Sequence, residues 1–182
     1  DRPALLSVFM CEANANLELF YENAQVQPMD EHPLRGTFPQ SDWEYTITKP
    51  ITGQKPVKLK LASAEEGYIK GVDATTSLPA ENYGNYGVVY KVNFTVDSRR
   101  PVSFIVNPTG GYFAGYGVLE HKGKRQLMAI PDFDLSLGGR VEEAVELCRL
   151  KSGQYSFIWS PPGASNLPIE LLWAPSRRAL EK

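Results

Sequence analysis

Soft metal ligands and sulfur are scarce in this sequence, which holds two histidines, His32 and His121, and two cysteines, Cys11 and Cys148. A catalytic zinc or copper centre draws two or three His ligands. Both histidines would have to converge from distant segments, so each is read as a surface or loop residue, and no metal or other cofactor is expected. The cysteines stand 148 − 11 = 137 positions apart, which is neither a metal-ligand spacing nor a C-x-x-C pair. They can close one long-range disulfide in an oxidising compartment, or stand as two buried thiols acting as small hydrophobes.

Charge of one sign is also missing, since 19 basic residues stand against 21 acidic ones and both are scattered along the chain. That balance offers no electrostatic footprint for a phosphate backbone or an anionic bilayer, so nucleic acid is not an expected partner. Long apolar runs are lacking too: ALLSVFM (residues 4–10) and SFIV (residues 103–106) fall far short of the roughly 20 residues a spanning helix needs, and no membrane span is expected. The chain opens at Asp1 without an initiator Met or a charged and apolar leader, so any export signal is expected to have been removed or never included.

What is present reads as β-structure. The runs WEYTIT (43–48), VKLKLA (57–62), YGVVYKVNFTV (86–96) and QYSFIW (154–159) alternate apolar with polar residues and are rich in β-branched and aromatic side chains. In VKLKLA the spacing turns Val57, Leu59 and Leu61 to a core and Lys58 and Lys60 to water. VSFIV (102–106) and PIELLWA (168–174) are short buried runs. RVEEAVELCRL (140–150) has one helical spacing, Val141, Ala144, Val145 and Cys148, but its tail also reads as a hairpin across Lys151-Ser152-Gly153, the reading favoured here. Trp43, Val89, Phe94, Phe104, Ile105, Phe157, Ile158, Leu171 and Trp173 are the expected core.

Fourteen prolines and fifteen glycines, spread evenly through the chain, leave little room for long helices. The expected fold is one mostly antiparallel β-sandwich over residues 1–182, jelly-roll or Ig-like, with few or no helices and a long loop near residues 23–40. At this length roughly 70% of the unfolded surface can be buried, enough for a self-supporting core.

Catalytic signatures are weak. There is no G-x-S-x-G elbow, and PPGASNLP (161–168) lacks that pattern. NPTGGYFAGYG (107–117) is glycine-rich but lacks the Lys and Ser/Thr of a phosphate loop. It is expected to turn at 107–111, with Gly110 or Gly111 at positive φ. Asp132 and Asp134 in IPDFDLS (130–136) would share one side of a strand and are the only acids nominated for two-carboxylate glycoside hydrolysis. The remaining signal is aromatic: Tyr83, Tyr86, Tyr112 and Tyr116, with Asn107 and Asn166, can supply flat apolar rings and amide bonding partners to a sugar. The same rings can equally be packing groups laid over neighbouring glycines.

Three segments, GVDATTSLPAENYGNYGVVYKV (71–92), NPTGGYFAGYGVL (107–119) and PPGASNLPIELLWAP (161–175), together resemble a β-domain of secreted bacterial proteins labelled copper amine oxidase-like. The likeness covers roughly residues 65–175. It implies an extracellular or cell-envelope protein and no particular reaction. Copper amine oxidases make a quinone from Tyr in Asn-Tyr-Asp/Glu and bind copper through three histidines. Here the motifs are Asn82-Tyr83-Gly84 and Asn85-Tyr86-Gly87, with two histidines in all, so both requirements fail. The resulting expectation is a non-catalytic binding or structural module whose partner is cell-wall polysaccharide or another envelope protein. A carbohydrate-active enzyme using the paired acids is the alternative.

Overall fold

The computed structural model describes residues 36–73, 76–131, 136–138, 143–163 and 165–176, together with Asn16 and Glu18. Eleven strands lie within them: β1 (Asp42–Thr46), β2 (Val57–Leu61), β3 (Lys70–Val72), β4 (Pro79–Glu81), β5 (Val89–Val96), β6 (Val102–Pro108), β7 (Gly115–His121), β8 (Lys124–Ile130), β9 (Val145–Leu150), β10 (Gly153–Trp159) and β11 (Ile169–Pro175). They form a five-stranded sheet in the order β1-β5-β10-β7-β8, a four-stranded sheet in the order β2-β11-β6-β9, and the small β3-β4 ribbon. Every pair is antiparallel except β1 with β5. The two large sheets pack face to face, and neither closes into a barrel. Among the described residues no helix is long and apolar enough to cross a membrane. The expected loop near 23–40 lies outside the described residues up to position 35.

The core forms where the alternating apolar phase of each strand meets that of the facing sheet. Tyr90, Val92, Phe94 and Val96 of β5 are buried with Tyr155, Phe157 and Trp159 of β10, against Phe104 of β6 and Leu171 and Trp173 of β11. Phe94 sits 5.0 Å from Trp173 in an edge-on arrangement, and Phe104 meets Phe157 edge-on at 5.1 Å, so aromatic contacts tie the two sheets together. Five of the nine expected core residues are fully buried, and Trp43 is half-buried against the same cluster. Val89, Ile105 and Ile158 are corrections: they occupy the opposite phase of β5, β6 and β10, and Val89 is 43% exposed. An apolar run without polar interruption cannot say which phase faces inward.

The connections depart further from expectation. β9 is a strand and not a helix, but it does not pair with β10; the Lys151-Ser152 link carries the chain from the four-stranded to the five-stranded sheet. From β5 onward every connection except β7–β8 crosses between the sheets in this way. Two crossings are stapled at one end of the sandwich, where Ser152 Oγ donates to Ser98 O at 2.7 Å and accepts from Ser98 N at 3.1 Å. Cys148 of β9 carries a free, half-buried thiol whose pKa is pushed up to about 11, chiefly by burial and further by Glu146. Cys11 lies outside the described residues.

Truncating an inter-sheet aromatic removes area from both sheets at once. Trp173→Ala is expected to lower stability by about 3–5 kcal/mol, while Val89→Ala shifts it by no more than about 0.5 kcal/mol. Urea unfolding of both variants checks the assigned strand phases.

Candidate functional site: loop cluster and outer groove

Four connections meet at the end of the sandwich opposite the serine staple: residues 82–88 before β5, 109–114 after β6, 136–138 between β8 and β9, and 160–168 before β11. Asn107 and Pro108 do not belong to a turn, because β6 continues through them and pairs them with Glu170 and Ile169. The chain bends only at 109–111. Gly111 has φ +125, as the sequence predicts for one of the two glycines. A Cβ on Gly110 would lie 2.2 Å from the backbone of Leu167, so this segment lies directly on the β10–β11 connection. Gly138 touches Gly111 so closely that a Cβ there would strike the Gly111 carbonyl. Asn166 N donates to Tyr112 O at 2.6 Å, and Ser165 Oγ bridges Ala114 by accepting from its N–H at 3.2 Å and donating to its carbonyl at 3.0 Å.

This packing decides what the tyrosines can do. Tyr86 is half-buried and its hydroxyl donates to Ser165 O at 2.7 Å, while Tyr83 leans on Tyr68 with ring centroids 5.3 Å apart. Asn107 is half-buried in β6, and the exposed Asn166 lies against Gly111. Tyr112 and Tyr116 remain solvent-facing, at 61% and 53% exposed. The structure therefore does not assemble the four rings into one platform, because two of them fix the loops. Asp132 and Asp134 fall outside the described residues, as does His32.

Beneath the loops lies a buried polar knot. Asn85, fully buried at φ 50, donates from Nδ2 to Tyr90 Oη at 2.8 Å and to Gly67 O at 3.1 Å, and accepts from Ile69 N at 2.8 Å. Burial, and secondarily the neighbouring Glu66 carboxyl, push the Tyr45 hydroxyl above the ordinary phenol range. Burial does the same at Tyr90, where the Asn85 bond works against it and Glu66 adds to it. The satisfied amide makes this a folding device.

A second candidate lies at the other end of the molecule, on the outer face of the five-stranded sheet. An open groove of about 720 Å³ crosses it, floored by Thr46 of β1, Asn93 and Thr95 of β5, Gln154 and Ser156 of β10, and Glu120 of β7. Register explains the row: Asn93 and Glu120 both face Ser156, and Glu120 faces Arg125. Ser156 Oγ donates to Asn93 Oδ1 at 2.6 Å, Asn93 Nδ2 donates to Glu44 Oε1 at 2.6 Å, and Arg125 Nε donates to Glu120 Oε1 at 2.5 Å. Asn93 and Lys91 together hold the Glu44 carboxyl below the usual range. At the groove's end the His121 ring stacks on Tyr155, centroids 4.2 Å apart, and its Nδ1 lies 2.8 Å from Gln154 O. No protein-family model, curated protein or solved structure matches this chain.

In the sequence these groove residues do not stand out, because each reads as the polar phase of an ordinary strand. The signal available was that Asn93, Thr95, Gln154 and Ser156 stand in that phase of YKVNFTV and QYSFIW, with Lys91 its one charged residue.

Two outcomes test this geometry. Gly110→Ala is expected to destabilise by more than about 1 kcal/mol, because the Leu167 backbone must move; thermal and urea unfolding measure it. Tyr45, Tyr86, Tyr90 and Tyr155 are all pushed up, first of all by burial. They keep their protons where unfolded tyrosine ionises, near pH 10. Their contribution is therefore complete below about pH 10 and is lost as pH rises above it. A urea midpoint that falls between pH 9 and pH 11 together with tyrosinate absorbance only on unfolding is the expected result; a midpoint independent of pH in that window excludes it.

Proposed function

We propose that this chain is a non-catalytic glycan-binding module of an exported or cell-envelope protein, with the groove on the five-stranded sheet as its binding surface. The observation that carries the reading is the neutral hydrogen-bonding floor formed by Asn93, Thr95, Gln154 and Ser156 across adjacent strands. Amides and hydroxyls supply donors and acceptors together, which is what a polyhydroxylated ligand needs. Because they stand on paired strands, little order is lost when they bind. Gln154, Thr46 and Thr95 have no hydrogen-bonding partner for their side chains among the described residues and are open to a ligand.

The resemblance of residues 65–175 to a domain of secreted bacterial proteins supports an envelope setting and cell-wall polysaccharide as the ligand class. The alternative, hydrolysis by paired carboxylates, gains nothing from the groove: among its described lining residues Glu120 is the sole carboxyl group, and Arg125 occupies it. A two-acid mechanism needs a second one across the scissile bond.

Titration of the intact chain with soluble cell-wall polysaccharide, followed by calorimetry, tests the proposal. The expected affinity is micromolar to millimolar, about −4 to −8 kcal/mol. Asn93→Ala combined with Gln154→Ala is expected to weaken it at least about tenfold, with Tyr112→Ala leaving it within about twofold because that ring lies at the other end. No saturable binding, or unchanged binding in the folded double variant, removes the groove. Loss of binding in Tyr112→Ala alone moves the site to the loops.

A further inference from the structure

Four strands lie at the edges of the two large sheets: β1, β8, β2 and β9. An exposed edge carries unpaired N–H and C=O groups and is commonly blunted by brevity, Pro, Lys or a bulge. β2 is five residues long, with Pro56 before it and Lys58 and Lys60 within it. β9 is bulged where its register shifts against Phe104 and Ile105. β1 is five residues long and is soon followed by Lys49 and Pro50. β8 opens with Lys124 and Arg125 and is followed by Pro131, but it runs seven residues, pairs with β7 without any register shift, and carries no Pro, Lys or bulge from Gln126 to Ile130, where Leu127 is 68% exposed.

The hairpin fixes which groups of β8 point outward along the edge. Its loop is the two residues Lys122 and Gly123, with φ 50 and 74, so His121 and Lys124 form the hydrogen-bonded pair that closes it. Lys124, Gln126, Met128 and Ile130 then direct their backbone groups to β7. Arg125, Leu127 and Ala129 direct theirs to the free edge, where no other described residue bonds to them.

From this pattern we infer that β8 pairs antiparallel with β8 of a second copy of this chain, about a twofold axis at Leu127, joining the two five-stranded sheets edge to edge. The edge-facing residues are spaced symmetrically about Leu127, so Leu127 meets its own copy and Arg125 meets Ala129 of the other chain. All three pairs fall in hydrogen-bonded positions, and every free edge group of the three residues is used. The axis is isologous, as a closed dimer requires. Charge placement agrees with this choice of occupant: each Arg125 lies opposite a small apolar residue, and the two arginines stand about 13 Å apart along the strands. The seam is one strand wide, smaller than a standard interface, so association is expected at about 10–500 µM. This inference does not depend on what the groove binds.

Sedimentation equilibrium of the intact chain across that range is the first test, with a concentration-dependent dimer expected. Leu127→Lys, a change at an exposed position, sets two cations face to face and is expected to weaken the dimer at least about tenfold with unchanged circular dichroism. Leu127→Cys is expected to be captured as a dimer, above the level of the parent chain, by a bis-maleimide linker of about 8 Å, since paired Cα atoms lie about 5.5 Å apart. Arg125→Cys, about 13 Å from its copy, is not. A monomer throughout, a dimer unaffected by Leu127→Lys, or equal capture of the two cysteine variants overturns the proposal.

Discussion

Contact between the two sheets through Phe94, Phe104, Phe157 and Trp173 positions everything else in this protein. These rings come from two pairs of consecutive strands, β5 with β6 and β10 with β11, distant from each other in sequence, and each is wholly or almost wholly buried. Once they interlock, the inward phase of each of those strands is set, and with it the outward phase. The groove follows directly. Asn93 is outward because Val92 and Phe94 are inward, and Ser156 because Tyr155 and Phe157 are.

The same contact imposes the route of the chain. A strand that fills one sheet sends its successor into the other, so the connections collect at the two ends of the sandwich. At one end they are short and held by Ser98 and Ser152. At the other they are longer and must cross each other, and there the glycines of NPTGGYFAGYG and Gly138 let backbone lie on backbone. The glycine-rich stretch is thus a packing joint, with Tyr86 and Ser165 as its fasteners.

Among the described residues, the two surfaces proposed for recognition both lie on the five-stranded sheet. One is polar, centred on Asn93 and Ser156, and suits hydroxyl-rich ligands. The other is the β8 edge at Leu127. In the inferred dimer the two grooves share one continuous outer face, an arrangement in which a long polymer engages both with an effective concentration set by the rigid sheet.

Strand content and much of the core were legible in the sequence because alternation at period two is local: VKLKLA, YKVNFTV and QYSFIW each declare an inner and an outer set. β7 and β8 are not legible in it, since YGVLEH and KRQLMAI carry weaker alternation on either side of a turn that looks like a charged break. Local pattern could not tell a hairpin from a crossing at Lys151-Ser152, because a turn signal marks where a chain bends and not which sheet receives it. Nor could it say which tyrosines stay free. Tyr86 and Tyr112 both lie in glycine-flanked stretches, and only the approach of residues 161–168 captures the hydroxyl of one and leaves the other in solvent. By itself the sequence determined a β-rich chain with its polar and apolar phases. Tertiary packing decided which polar residues share a face, because that depends on strand order and register, and those are set by contacts between residues distant along the chain.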